Sequence, residues 1–270
     1  MARASSGGLC NLSDNSTAQL CSHLSGACVG QKQNGFNRSI FQKEQAPPGQ
    51  HVIGYFPRFG VRSAQPRPRV REPAVIRVEG AVARCLEVPV SRLAELKRRA
   101  IVADFHCVAG WTAQDLHWCG VTFRTFYETV IVPEARPEPG VSHILFQGAD
   151  GYRSVLALDD VFENDVLLAD QLGETPLNGD HGAPLRLVSP KQYGYKSTKH
   201  LCCIELLTGE RADGHERAVP DFLLTLLGPH PRARVSEEER HRYLPAWALR
   251  RVYWKLYRPL AWAARRGSRS

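Results

Sequence analysis

Residues 104–120 read DFHCVAGWTAQDLHWCG. Two cysteines, two histidines and two tryptophans fall within this one stretch. Three readings compete for it: a metal site, a reactive thiol, or a core strand that carries a cysteine. Residues 101–107 predict a strand, and the Val108-Ala-Gly-Trp that follows predicts a turn. A cysteine where a strand meets a loop can direct a thiolate into a pocket, and a soft thiolate suits a soft or high-valent metal. A buried free cysteine is the plainer alternative, and on Cys107 alone it is the favoured one. Cys107 and Cys119 stand twelve apart with His106 and His117 nearby, but no C-x-x-C occurs in the chain. That spacing fits no structural zinc module. Cys119 therefore reads as core, and the adjacent Cys202 and Cys203 as packing on opposite faces of a strand.

The chain around this stretch has 270 residues, enough for one large domain or two small ones with a substantial core. An apolar fraction of 43% and a charged fraction of 23% are those of a soluble globular protein. The 18 prolines and 22 glycines predict many turns and short strands and disfavour a helical bundle. A net charge of +8 attracts anions, whether nucleic acid, acidic lipid or a phosphorylated cofactor, without choosing among them. No nucleic-acid motif accompanies the charge, so no nucleic-acid partner is expected. No run reaches the length of a membrane span, and the first 35 residues lack a charged region followed by an apolar one. The eight cysteines are too few for a disulfide scaffold. The expectation is a cytoplasmic protein with mostly free thiols.

Residues 1–45 are rich in Ser, Gly, Asn and Gln without hydrophobic period and read as disordered. The single methionine is Met1, so a start further along at a non-methionine codon is the other reading of that segment. A catalytic domain is expected over 46–227. Strands are predicted at 74–79, 101–107, 142–147, 152–158, 166–170, 185–189 and 202–207, divided by turn clusters such as GADG and NGDHG. Ser91 predicts a cap for a helix through Arg99, and Thr122 a cap for a helix over Phe123–Ile131 that Pro133 ends. Short helical pieces fit 159–163 and 197–201. The fold class is α+β, mixed and strand-rich, with short helices. Residues 228–270 read as a linker and a basic aromatic C-terminal helix. Ser236 and three glutamates open it, and arginines then interleave with Trp247, Tyr253, Trp254 and Trp262.

A second constellation stands at 180–199, DHGAPLRLVSPKQYGYKSTK, with one histidine, one arginine and three lysines beside two glycines and two prolines. Small residues let the backbone approach a ligand, and the basic side chains supply charge-assisted donors to phosphate. It is not a P-loop, since no G-x-x-x-x-G-K-[ST] occurs. As pattern alone, a solvated basic loop explains it equally well.

Taken together, FHCVAGWT with WCGV resembles the molybdenum–cysteine segment of the sulfite oxidase superfamily, and DHGAPLRLVSPKQYGYKSTK resembles its pterin-binding segment. The intervening GADGYRSVLALDD and VLLADQLGETPL agree in order and separation. The resemblance covers roughly 50–210 and implies a compact, catalytic-domain-only molybdopterin-dependent oxidoreductase with molybdenum and a pyranopterin as cofactor. Cys107 would be the thiolate ligand of the metal. His181 and Arg186 match positions that contact the pterin. Ser197, Thr198 and Lys199 match the segment that holds its phosphate end, framed by Tyr193, Gly194 and Lys196. Arg58, in Tyr55-Phe-Pro-Arg-Phe-Gly, aligns with an arginine that binds the anion in sulfite oxidases, although Phe59-Gly60 replaces the asparagine–histidine pair expected after it. Asp150 and Ser154 lie in a segment that can approach the metal, Lys196 is a second candidate to stabilise an anion, and Tyr195 and His106 are candidate acids.

The activity implied is oxygen-atom transfer to or from a small substrate, sulfur-containing and anionic or of sulfoxide type. No haem domain is visible, so a separate electron-transfer partner is expected, and the stretch after residue 210 is too short for the family's immunoglobulin-like dimerisation domain. Two other readings stand beside it. The 180–199 loop serves a non-catalytic anion- or nucleotide-binding module in which Cys107 is core. Alternatively the C-terminal helix brings a peripheral protein to an acidic membrane surface.

Overall fold

The computed structural model describes residues 46–59, 66–209, 228–245, 249–250, 252–253 and 255. Its strands are β1 (His51–Ile53), β2 (Val75–Gly80), β3 (Leu86–Pro89), β4 (Arg98–His106), β5 (Trp111–Thr122), β6 (His143–Gly148), β7 (Arg153–Ala157), β8 (Leu167–Leu172), β9 (Thr175–Pro176), β10 (Arg186–Val188) and β11 (Leu201–Leu207). The short helices α1 (Phe123–Phe126) and α2 (Leu158–Val161) join them. The strand-rich α+β class is as the sequence implies. Two sheets form. One runs β3-β2-β11-β6-β7, with β11 parallel to β2 and antiparallel to β6. The other runs β1-β5-β8-β10, with β4 paired to β5 and β9 to β8.

In β2, Ile76 and Val78 point inward while Arg77 is exposed, the alternation of a half-buried strand. These residues, with Phe146 on β6 and Ile204 and Leu206 on β11, pack against Phe123, Phe126, Val130 and Ile131 and against the β5–β8 end of the other sheet. This is the main core. Two smaller clusters, one around Trp118 and Phe105 and one around Cys107 and Trp111, share Phe56 and Phe105.

Several local expectations change. Residues 90–95 form a 3-10 turn with no side-chain cap, so Ser91 caps nothing, and Arg98 and Arg99 already belong to β4. Leu93 is buried. Thr122 does cap, accepting from the Thr125 amide at 3.1 Å, but α1 widens into a π-helix over Tyr127–Ala135 that contains Pro133 instead of ending before it. The helical piece expected at 197–201 is a 3-10 turn at Gly194–Lys196, and β11 begins at Leu201. Residues 235–238 form a turn, not the start of a helix. The described residues of 249–255 are helical, whereas the segment expected to be disordered, 1–45, and the tail beyond 255 lie outside the described residues. Among the described cysteines, Cys107, Cys202 and Cys203 are free thiols, while Cys85 and Cys119 are disulfide-bonded and depart from the expected free state. Among the described residues no helix is long and apolar enough to cross a membrane.

Candidate functional site

Cys107 follows the last residue of β4. The Cys107 amide donates to Trp111 O at 2.8 Å and the Gly110 amide donates back to Cys107 O at 2.9 Å, which closes a tight turn between β4 and β5. Gly110 takes φ +94° in that turn, a conformation glycine adopts without strain. The Ala109 amide points at Cys107 Sγ at 3.5 Å. Gln50 braces the outside, donating to Cys107 O at 3.2 Å and accepting from Thr112, whose hydroxyl also meets His106 Nδ1. The thiol is buried, 6% exposed. Burial pushes it up to about 12, against the pull of the Ala109 amide, Arg240 and Lys199. It is protonated at neutral pH, and a metal bound there displaces that proton.

Three further segments converge on the aromatic wall beside this turn. After β1, Phe56 packs on Phe105 at 4.9 Å between ring centroids and edge-on to Trp118. The loop before β10 lays the His181 ring flat on Phe56 at 4.5 Å. Arg186 opens β10, fully buried, and stacks over Phe56, Phe105 and Trp118. Its donors go to the carbonyls of Leu187, His181 and Ser197, so no carboxylate offsets its charge, and burial holds it down to about 9. Lys199 donates to the carbonyls of Phe59 and Asp180. Burial, then Arg186 and Arg58, lower it to about 7, with Asp180 and Asp150 opposing. Arg58 lies 3.7 Å from the Asp180 carboxylate, which also accepts from Arg67. His181 is lowered to about 4 by burial, Arg186 and Lys199, and its Nδ1 is buried without a hydrogen-bond partner.

The structure thus brings Cys107, Arg58, His181, Arg186 and Lys199 to one region. The remaining sequence candidates build the loop around it. Lys196 is buried and its ammonium donates to Val155 O at 2.6 Å. Ser197 Oγ accepts from the Ser189 amide, and Thr198 Oγ1 meets Ser154 Oγ at 2.7 Å. Tyr193 is fully buried, with burial the main cause of a rise to about 12. Gly194 lies so near Phe105 that a Cβ would come within 2.2 Å of the ring. Asp150 Oδ1 accepts from the Tyr152 amide, and Tyr195 donates to His230 O. A cavity of about 390 Å³ between residues 160–166, 189–192 and 234–237 is lined by His106 but by none of the five converging residues. It is a different place from the chemistry.

Sequence reasoning missed Gln50 and Arg240 as parts of this region, and gave no role to Phe56 and Phe105 although both stand inside its quoted motifs. A glutamine and two phenylalanines are ordinary residues until the fold joins them. Arg240 sits in a stretch that reads as helix.

Comparison with known proteins gives the family. Residues 65–215 match the family model described as oxidoreductase molybdopterin binding domain. The chain is 30% identical over 167 residues to the uncharacterized oxidoreductase YuiH of Bacillus subtilis, covering 62% of this chain and 81% of that protein. It is 28% identical over 200 residues to the protein-methionine-sulfoxide reductase catalytic subunit MsrP of Gluconobacter oxydans, covering 64% and 62% respectively. A solved structure, the sulfane dehydrogenase SoxCD of Paracoccus pantotrophus, aligns with a TM-score of 0.48 at 21% identity, covering 62% of this chain and 46% of that one.

Proposed function

Because the chain belongs to the oxidoreductase molybdopterin binding domain family and is a molybdopterin-dependent oxidoreductase of the sulfite oxidase type, we propose that it exchanges an oxygen atom with a small anionic or sulfoxide-type substrate at Cys107. The residues fit the group. Among the described residues no three His, Cys, Asp or Glu side chains gather by themselves as a metal site. A metal on the single thiolate of Cys107 would take its other ligands from the pterin. The pterin needs a polar contact and its phosphate needs positive charge. His181 Nδ1 is a buried polar atom with no protein partner. Arg186 is a buried cation and Lys199 a buried amine held near pKa 7, ready to take a proton, and the donors of both meet only neutral carbonyls. This excess of buried positive charge is the observation that carries the reading, since such charge persists at low cost only where an anion arrives.

When bound, the molybdenum–pterin group supplies two-electron oxygen-atom exchange. The chain's own residues do the rest. Cys107 would hold the metal, and its turn, clamped by Trp111 O and the Gln50 amide, fixes the direction of Sγ. His181, held flat by Phe56, would meet the pterin. Arg186, which carries the His181 and Ser197 carbonyls, would hold the two halves of the pterin segment in register. Arg58 and Lys199 would face the anionic substrate or phosphate end. Phe56, Phe105 and Trp111 wall the site and exclude water.

The likeness to a methionine-sulfoxide reductase subunit supports a sulfoxide as substrate and reduction as the direction. Electrons then come from a separate redox partner. The test is molybdenum content by elemental analysis and pterin by fluorescence of its oxidised form. Wild type and Cys107→Ser are compared from a cofactor-competent host, followed by methionine sulfoxide, sulfite and nitrate with a redox dye. Near-stoichiometric metal and pterin in the wild type, with metal lost or spectrally altered in Cys107→Ser, is the expected result. Well-folded wild-type protein without either component refutes the reading.

A further inference from the structure

Beyond the family-matched stretch, which ends at residue 215, the chain returns to the site. Residues 229–242 run as a strap along the pterin-segment loop. The Tyr193 amide donates to Ala233 O at 2.9 Å and the Val235 amide to Lys191 O at 3.0 Å. Arg232 pairs with Asp159 and Asp160, and Arg234 with Asp160. The strap delivers Arg240, a side chain 1% exposed, to the back of the Cys107 turn. Its Nη1 donates to Val108 O at 2.6 Å and its Nη2 to Gly49 O at 2.9 Å. Val108 is the residue after Cys107, and Gly49 precedes the Gln50 that braces the same turn. The guanidinium lies 5.0 Å from the ring centroids of both Tyr193 and Tyr253, which hold its plane. The nearby Glu238 carboxylate is taken by Arg250.

From this geometry we infer that Arg240 is a positioning residue for the metal thiolate: it ties the two chain segments that frame Cys107 and sets a fixed positive charge behind the sulfur. The inference rests on the reading of Cys107 as the molybdenum ligand. A planar fork with parallel donors is what spanning two carbonyls requires, and a lysine cannot span both. A buried guanidinium whose own donors reach only carbonyls, with the nearby Glu238 carboxylate already paired to Arg250, is costly unless a further negative charge comes near, and a bound thiolate supplies it. A fixed cation beside the thiolate stabilises the reduced, more negative state of the centre.

The experiment compares wild type, Arg240→Lys and Arg240→Met by hydrogen–deuterium exchange of the peptide spanning 107–111, and by the molybdenum midpoint potential of loaded protein. Both variants are expected to exchange at least tenfold faster at 107–111 with β11 unchanged. Arg240→Met is expected to shift the midpoint to more negative potential, while Arg240→Lys, which keeps the charge, leaves it in place. Wild-type exchange in Arg240→Lys, or an unshifted midpoint in Arg240→Met, overturns the inference. Should Arg240→Met fail to fold, the exchange of Arg240→Lys decides. Exchange is read equally well without cofactor, so a wild type that holds no molybdenum refutes the parent reading and leaves the tie at the turn still measured.

Discussion

Lys199 is the residue at which burial and chemistry pull hardest against each other. Its amine is held near pKa 7 by burial, Arg186 and Arg58, against an unfolded value near 10.5. The folded state therefore binds fewer protons than the unfolded state between those two values. Stability of the cofactor-free protein should accordingly rise with pH across that window. His181, lowered to about 4, adds a like rise between about 4 and 6.5. Anion binding has the opposite sign, because the anion wants the ammonium form. Inorganic pyrophosphate titrated calorimetrically into cofactor-free protein is expected to bind best below pH 7 and to weaken by up to ~tenfold per pH unit above it. Lys199→Met should bind weakly at every pH and lose the upper rise in stability. An affinity that is flat from pH 6 to 9 in the wild type would show that Lys199 does not meet the anion. The sequence disclosed the residue types here, since Cys107, His181, Arg186 and Lys199 stand in two quotable motifs. It could not disclose that Lys196, Ser197 and Thr198 spend their polar atoms on Val155, Ser189 and Ser154. Which side a loop side chain faces is decided by packing, not by order along the chain.

At the scale of elements, β5 is the backbone of the site, because it meets β1, β4 and β8 at once. Like the shorter β1, β3 and β9, it is a strand that sequence reasoning left out. Its ends are buried on both faces and alternation is confined to Gln114–His117, so no period of two runs its length. The strands that were legible, β2 and β11 among them, are bounded by turn residues and rich in β-branched or aliphatic side chains. The helix over 123–131 was legible from its Thr122 cap, but a π-helix that absorbs Pro133 leaves no trace in a hydrophobic pattern. Within β5, Gly120 crosses β8 so closely that a Cβ would stand 2.1 Å from Leu168 O and 2.7 Å from Ala169 Cα. Both neighbours are backbone and cannot swing away. Gly120→Ala should therefore cost about 3 kcal/mol or more, at or above the upper end of ordinary overpacking, read as a fall in the urea midpoint without a change in slope. A midpoint within error of wild type would mean that the two strands separate more easily than their pairing implies.

For the molecule as a whole, the two sheets and the strap pack together at the described residues. A linker reading of 228–235 follows naturally from its prolines and arginines, because ion pairs to a distant acidic turn leave no local signature. Asp160 on α2 is the main anchor. It is 11% exposed at the side chain and accepts from Arg232 at 2.9 Å and Arg234 at 3.1 Å, while Asp159 takes a second contact from Arg232. Arg232 and Arg234 are about one third exposed, so solvent and salt weaken each pair. Their combined effect lies between a surface pair, about 0–1 kcal/mol, and a broken buried pair, about 3–5 kcal/mol. Asp160→Ala is expected to release the strap before it unfolds the sheets. Limited proteolysis should cut between 228 and 245 severalfold faster, and more so at high salt, while exchange at β2 and β11 stays at the wild-type level. Because the same strap carries Arg240 to the Cys107 turn, metal retention should fall in step with the cutting rate. Cutting that accelerates with no loss of metal would separate the anchor from the site, and would place the strap's contribution in stability alone.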